Sequence, residues 1–300
     1  MDSILLVTNV QAGTADEGLA AALDALRSDA DVEVCRTSSA DDLDNVLRRR
    51  QSRILVVAGG DGSLHSAVEA LNRRDELEAV VLGLIPLGTG NDFARGIGIP
   101  LDPAAAARVV LQGRAGKVDL ILDSVGGVVV NNVHAGVGVE ASRRAAKWKQ
   151  RVGRAGYVLG LLHAAFRAPY LRVRVEVDGT VIADGDRPVL EVSVGNGATV
   201  GGGLPLNPAA DPQSGRLDVM VSFAVGSVER VGYGVDILRS RHTERPDAVH
   251  RRARTVTIAG EPFHCSADGE IQGPEQGRTW TIAPSALEMV LPTPQQRPDG

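Results

Sequence analysis

Apolar residues run almost unbroken through positions 3–9, 53–58 and 79–85, and a polar or turn-forming residue closes each run. Between these runs, residues 16–27 place Leu19, Leu23 and Leu26 on one helical face, and 63–72 do the same with Leu64, Ala67, Val68 and Leu71. A short strand over 32–36 and a helix over 41–50 fill the interval. Short apolar runs alternating with helix-period segments predict a parallel sheet covered by helices on both faces. The pattern changes after about residue 123. Residues 128–133 read as a strand and 140–167 as largely helical. From Leu171 onward, Val173, Val175 and Val177 interleave with Arg172, Arg174 and Glu176, and Asp178-Gly179 then supplies a turn. Further strands are predicted at 189–194, 216–222, 255–258 and 278–282. The chain thus divides into an α/β domain over 1–122, a β-rich antiparallel domain over 123–292, whose C-terminal end packs back on the first, and a polar, frayed tail over 293–300.

A length of 300 residues suits two domains. Hydrophobic residues make up 43% of the chain and aromatic ones only 3%, so the core rests on Val, Leu, Ile and Ala, as buried parallel strands prefer. A net charge of −5 argues against a nucleic-acid binder. Basic residues nevertheless crowd two stretches, Arg143, Arg144, Lys147, Lys149, Arg151 and Arg154, then Arg239, Arg241, Arg245, Arg251, Arg252 and Arg254. Each reads either as a solvated helix face or as a surface for anionic lipid heads. Cys35 and Cys265 are too few for a disulfide framework or a four-ligand zinc site, which fits a reduced cytoplasmic setting. The first apolar run has no basic segment before it and reads as a strand, not a signal peptide. No apolar stretch reaches the ~18–20 residues of a membrane span, so a lipid substrate would be met from outside the bilayer.

The strongest motif is Ala58-Gly59-Gly60-Asp61-Gly62-Ser63, set directly between a buried strand and a helix. Its glycines permit close backbone approach and positive φ, and the helix N-terminus behind them favours anions. The segment reads as a phosphate cradle at the carboxyl edge of a parallel sheet, with Asp61 as a partner for Mg2+ or for an attacking hydroxyl. The alternative is a glycine-rich turn in which Asp61 and Ser63 only cap the helix. After the next buried strand, Pro86-Leu87-Gly88-Thr89-Gly90-Asn91-Asp92-Phe93-Ala94-Arg95 brings a second glycine-rich acidic loop to the same edge, and Asn91-Asp92 can begin a helix. Other signatures fail. There is no Gly-Lys-Ser/Thr, no G-x-S-x-G, and no metal-ligand spacing among six histidines. Gly136-Val137-Gly138-Val139-Glu140-Ala141 matches a dinucleotide pattern but opens no βαβ unit.

These two loops resemble the signatures of the diacylglycerol kinase catalytic-domain family, which includes bacterial soluble lipid kinases and is related to sphingosine kinases. Gly59–Ser63 is similar to its Gly-Gly-Asp-Gly-Thr element and Pro86–Arg95 to its Pro-Leu-Gly-Thr-x-Asn-Asp-Phe-Ala-Arg element. Val118-Asp119-Leu120, the segment 131–138, Val194-Gly195-Asn196-Gly197, Gly201-Gly202-Gly203 and Ala267-Asp268-Gly269-Glu270 continue the likeness over nearly the whole chain. The resemblance implies an α/β N-terminal nucleotide-binding domain like those of NAD kinases and phosphofructokinases, a C-terminal antiparallel β-sandwich, and an active site in the cleft between them. It implies ATP binding at Thr37, at Gly59, Gly60, Asp61, Gly62, Ser63, Leu64 and His65, and at Gly88, Thr89 and Asn91. It implies Glu270 as the general base, with Asp61 and Asp92 as acidic residues tied to activity. ATP with Mg2+ and a membrane lipid, diacylglycerol foremost, are the implied partners; peripheral membrane contact follows, and a homodimer is allowed. A sphingoid base, another hydroxyl acceptor, or a non-catalytic lipid- or nucleotide-binding role are the alternatives. The chain departs from the pattern at three places. His65 stands where Asn is frequent and Glu140 where a short Asp is usual. Asp211, Ser214 and Arg216 fall on an accessory Mg2+ site whose Asp-Gly pair is here Ser214-Gly215, and a neutral hydroxyl is a poor replacement for a carboxylate on Mg2+.

Overall fold

The computed structural model describes residues 3–9, 16–137, 139 and 170–296. Strands β1 (Ser3–Asn9), β2 (Asp31–Thr37), β3 (Ile54–Gly59) and β4 (Val81–Pro86) alternate with helices α1 (Asp16–Arg27), α2 (Ala40–Arg49) and α3 (Asp61–Arg73). The four strands are parallel in the order β4-β3-β1-β2. Helices cover both faces, which is why Leu5, Leu6, Leu55, Val56 and Leu82 are apolar in unbroken runs and nearly all inaccessible. Local rules set the helix ends. Ser39 accepts the Asp42 amide at the start of α2, with Asp41 and Asp42 in its first turn and Arg48 and Arg49 in its last, as the helix dipole favours. Helices α4 (Asp92–Gly96) and α5 (Pro103–Gln112) follow. In the latter, Asp102 caps the Ala105 amide and Pro103 opens the first turn.

No linker separates the halves. Strand β5 (Arg114–Asp123) runs straight across residues 120–123, and after β6 (Val128–Val129) and β7 (Asn132–Gly136) the chain becomes antiparallel. Its later elements are β8 (Val173–Val177), β9 (Thr180–Asp184), β10 (Glu191–Gly195), β11 (Leu217–Ser222), α6 (Ser227–Leu238), β12 (Ala248–Ala253), β13 (Thr255–Ala267) and β14 (Glu270–Leu291). The predicted strand at 278–282 is the middle of β14, which is 22 residues long. That strand pairs with β13, lies antiparallel to β5 from Trp280 to Leu291, and meets β4 in parallel at Glu288 and Met289. One sheet therefore continues through both halves in the order β12-β11-β10-β7-β13-β14-β4-β3-β1-β2. Leu287, Met289 and Leu291 complete the first core, and Trp280, Phe263 and the valines of β8, β10 and β11 form the second. The predicted strand at 128–133 divides into β6 and β7, because the amides between them turn to a carboxylate described below. The predicted helix at 140–167 lies outside the described residues. No helix among the described residues is long and apolar enough to cross a membrane.

Candidate active site

Strand β3 ends at Gly59 and α3 begins at Asp61, with Gly60 alone between them. Gly60 is extended (φ −94°, ψ −170°) and brings no capping side chain. The Ser63 and Leu64 amides turn back to the Gly60 carbonyl at 3.0 and 3.1 Å. The first amides of α3, those of Asp61 and Gly62, have no helical acceptor and sit at the positive end of the dipole. The sequence led us to expect positive φ at these glycines, but none of Gly59, Gly60 and Gly62 has it. Space is the reason for them instead. A Cβ on Gly60 would stand 3.0 Å from the Gly88 Cα, one on Gly88 would stand 2.5 Å from the Gly60 Cα, and one on Gly59 would strike Ser63 Oγ at 2.4 Å. The two glycine loops cross backbone to backbone, while Gly62 faces open space.

The second loop is closed by Asn91, in the left-handed region at φ 53°. Its Oδ1 accepts the Gly88 amide at 3.0 Å and its Nδ2 donates to the Gly88 carbonyl at 2.7 Å. Thr89 is exposed at the tip. Of the residues expected around ATP, those from Gly59 to Ser63 and from Gly88 to Asn91 thus meet at one sheet edge. Thr37 ends β2, two strands further along that edge, with its hydroxyl 3.5 Å from the Thr8 carbonyl. Leu64 points into the core, and His65 faces the second half of the molecule.

The three expected carboxylates are in different states. Asp61 accepts the Asp92 and Phe93 amides, each at 3.1 Å, so it caps α4 and not its own helix. Burial pushes its carboxyl up, against the pull of those two amides, and the charges of Asp92 and Asp268 push it further. Asp92, itself buried, accepts the Gly202 and Gly203 amides at 2.8 Å each. Glu270 is exposed, and its side chain makes no hydrogen bond among the described residues. It opens β14 after a two-residue turn, Asp268-Gly269, with φ of 47° and 91°, the geometry Asp-Gly favours between paired strands.

Asp268 lies in a motif that the sequence marks, but the sequence assigns it no role there. Its carboxylate accepts the Val130, Asn131 and Asn132 amides at 2.7, 2.9 and 3.1 Å and stands 2.8 Å from His65 Nδ1. His65 was expected beside the nucleotide. It is 5% exposed and engages this carboxylate. Burial lowers its tendency to hold a proton, but the hydrogen bond to Asp268 and the charges of Asp268, Glu270 and Glu69 outweigh that and leave it above the ordinary histidine value.

The residues of the expected accessory metal site do not fit a cation. Asp211 Oδ1 accepts the Gln213 amide at 3.0 Å, and the Ser214 hydroxyl donates to the Arg216 carbonyl at 3.2 Å. Asp119 takes the Gly215 and Ser285 amides at 2.6 and 2.8 Å. The loop is closed by direct hydrogen bonds, and no cluster of three His, Cys, Asp or Glu side chains suited to a metal ion occurs among the described residues. A nucleotide's phosphates do fit: the open space over Gly62 and the unbonded first amides of α3 suit a bound anion.

Residues 3–122 match the diacylglycerol kinase catalytic domain, and residues 131–291 match the YegS C-terminal NAD kinase beta sandwich-like domain. A diacylglycerol kinase of Mycobacterium tuberculosis is 31% identical over 245 residues, covering 79% of this chain and 76% of its own. A Stenotrophomonas maltophilia protein named "Probable lipid kinase YegS-like" is 32% identical over 251 residues, covering 80% and 79%. The crystal structure of a diacylglycerol kinase from Bacillus anthracis shares the fold with a TM-score of 0.78 at 24% identity, over 98% of both chains. The matches span both halves of the continuous sheet, and the chain accordingly belongs to the diacylglycerol kinase catalytic-domain family of lipid kinases.

Proposed function

We propose that this lipid kinase transfers the γ-phosphoryl group of ATP to the free hydroxyl of diacylglycerol, giving phosphatidic acid and ADP, with Glu270 as the general base. The state of the carboxylates carries the reading. Asp61 and Asp92 are each committed to two backbone amides, whereas Glu270 is exposed, close to the His65 side of α3, and unengaged. In the transfer, the hydroxyl proton passes to the Glu270 carboxylate, the hydroxyl oxygen bonds the γ-phosphorus, and the bond to the β–γ bridging oxygen breaks. The phosphates rest on the first amides of α3 over Gly62. Mg2+ bound with ATP offsets the charge on the phosphates. Asp61 acts at one remove, by holding α4 and the second loop in place.

Diacylglycerol resides in a membrane, so the enzyme meets it from the surface. Of the two basic stretches, Arg143–Arg154 lies outside the described residues. In the second, Arg245 is held by Asp236 and Asp247, each at 2.7 Å, but Arg239, Arg241, Arg251, Arg252 and Arg254 are exposed.

The test is transfer of label from ATP to a panel of diacylglycerol, a sphingoid base and soluble alcohols. Label in phosphatidic acid is expected, and label only in another acceptor removes diacylglycerol from the reading. Positioned proton transfer contributes ~10²–10⁴-fold, so Glu270→Gln should lose turnover by about that factor with ATP binding intact. A near wild-type rate in that variant removes Glu270 from the role.

A further inference from the structure

We infer that His65 is a positioning residue for this transfer: its imidazolium latches Asp268 across the junction of the two halves, sets where Glu270 stands relative to α3, and makes turnover depend on the ring's proton. The inference rests on the reading of Glu270 as base.

The connection is short and stiff. His65 lies one turn into α3, the helix that begins at the phosphate loop, so its place follows from that loop. Asp268 lies in the hairpin turn that leads directly into Glu270. Three of the four donors on the Asp268 carboxylate are backbone amides of its own half. His65 is the fourth, and it comes from the nucleotide half. A change at this one contact therefore shifts the base against the phosphates, and not either wall by itself.

The ring meets negative charge on several sides. Asp268 and Glu270 face it from the β13–β14 turn, and Glu69 Oε2 is 3.8 Å from its Nε2 on the same helix. Asp61 lies one turn back, within the field of Asp268. The adjacent β6 brings only Val128 and Val129. Among the described residues, no cation competes for this carboxylate. These charges favour the protonated ring more than water does and outweigh the opposing effect of burial, in agreement with the upward shift of His65. The sign is set by that direction. A histidine raised in the fold contributes its ionic latch fully below ~6.5, the ordinary value, and loses it as pH rises through the higher folded value. The neutral ring still donates from Nδ1 but no longer carries charge to hold Asp268 or to face Glu270.

The experiment is kcat against pH between 6 and 9 for the wild type, His65→Asn, His65→Leu and Glu270→Gln, with the His65 ring followed by NMR through its own backbone assignment. Wild-type kcat should fall ~10-fold through one ionisation above 6.5, well inside the ~10²-fold that an ångström-scale misplacement costs. The ring should titrate at the same pH. Asparagine keeps a donor without the charge, so His65→Asn should lose the alkaline fall and hold the low plateau throughout, with KM for ATP unmoved. Leucine removes both and should lie lower at every pH. A flat wild-type profile, a ring that titrates below 6.5, or an alkaline fall retained in His65→Asn overturns the latch. The first two need no variant to fold. An active Glu270→Gln overturns the base assignment instead, whereas an inactive one beside a flat wild-type profile overturns the latch alone.

Discussion

Gly60 and Gly62 are two positions apart in one turn and answer to different constraints. A side chain at Gly60 would collide with the backbone of Gly88, whereas one at Gly62 would enter open space at the head of α3. Gly60→Val should therefore lose fold and nucleotide affinity together. Gly62→Val should keep its melting temperature, since replacing a helical glycine by valine recovers about a few tenths of a kcal/mol, yet bind ATP much more weakly. Calorimetric titration beside thermal melts separates the two; a Gly62→Val protein with wild-type ATP affinity would move the phosphates elsewhere. The turn itself was legible, because strand, glycines and helix are consecutive in sequence. The work of the carboxylates was not. Asp92 finds its amides 110 and 111 positions away and Asp268 finds its own 136 to 138 positions away, separations that no spacing rule encodes.

At the scale of elements, α4 is five residues long, too short to persist alone, and its place is set by what holds it. Asp61 caps its start, and Asp92 binds it to the positive-φ glycines of the 201–203 loop. Asp92→Ala removes both oxygens that accept the Gly202 and Gly203 amides. Unfolding in urea should show a loss of about 1–3 kcal/mol, and the Gly202 and Gly203 amides should exchange faster with solvent. Unchanged exchange at both would mean that the loop has another anchor. Other elements differ in how clearly sequence marks them. The start of α5 is signalled by Asp102-Pro103, a cap followed by a first-turn proline, which the periodicity reading passed over. Helix α6 starts at Gly226 with no side-chain cap and contains Gly232 and Gly234, so its local signal is weak and packing must supply it. The length of β14 is likewise invisible locally, since beyond its hairpin with β13 it is defined by β5 and β4, from distant segments.

The whole molecule shows its exposed arginines near α6 and β12 on a chain with a net charge of −5. Sedimentation with vesicles rich in anionic lipid should weaken with salt, as the screening length contracts to ~3 Å at 1 M, and should weaken again in Arg251→Ala/Arg252→Ala. Binding indifferent to both would place membrane contact on another face. The overall class, α/β followed by antiparallel β, was readable because hydrophobic period changes from helical to alternating along the chain. Its continuity was legible only as a C-terminal end that packs back on the first domain, because β5 and β14 join the halves through pairings between remote segments. That closing strand has a consequence for how the protein is made. Leu287, Met289 and Leu291 leave the ribosome long after β4, yet they finish the core around it. The nucleotide half must wait, with its sheet edge open, until β14 has been made. A chain assembled this way completes the wall that carries Gly60 and the wall that carries Glu270 in one step, so before β14 is in place neither is finished.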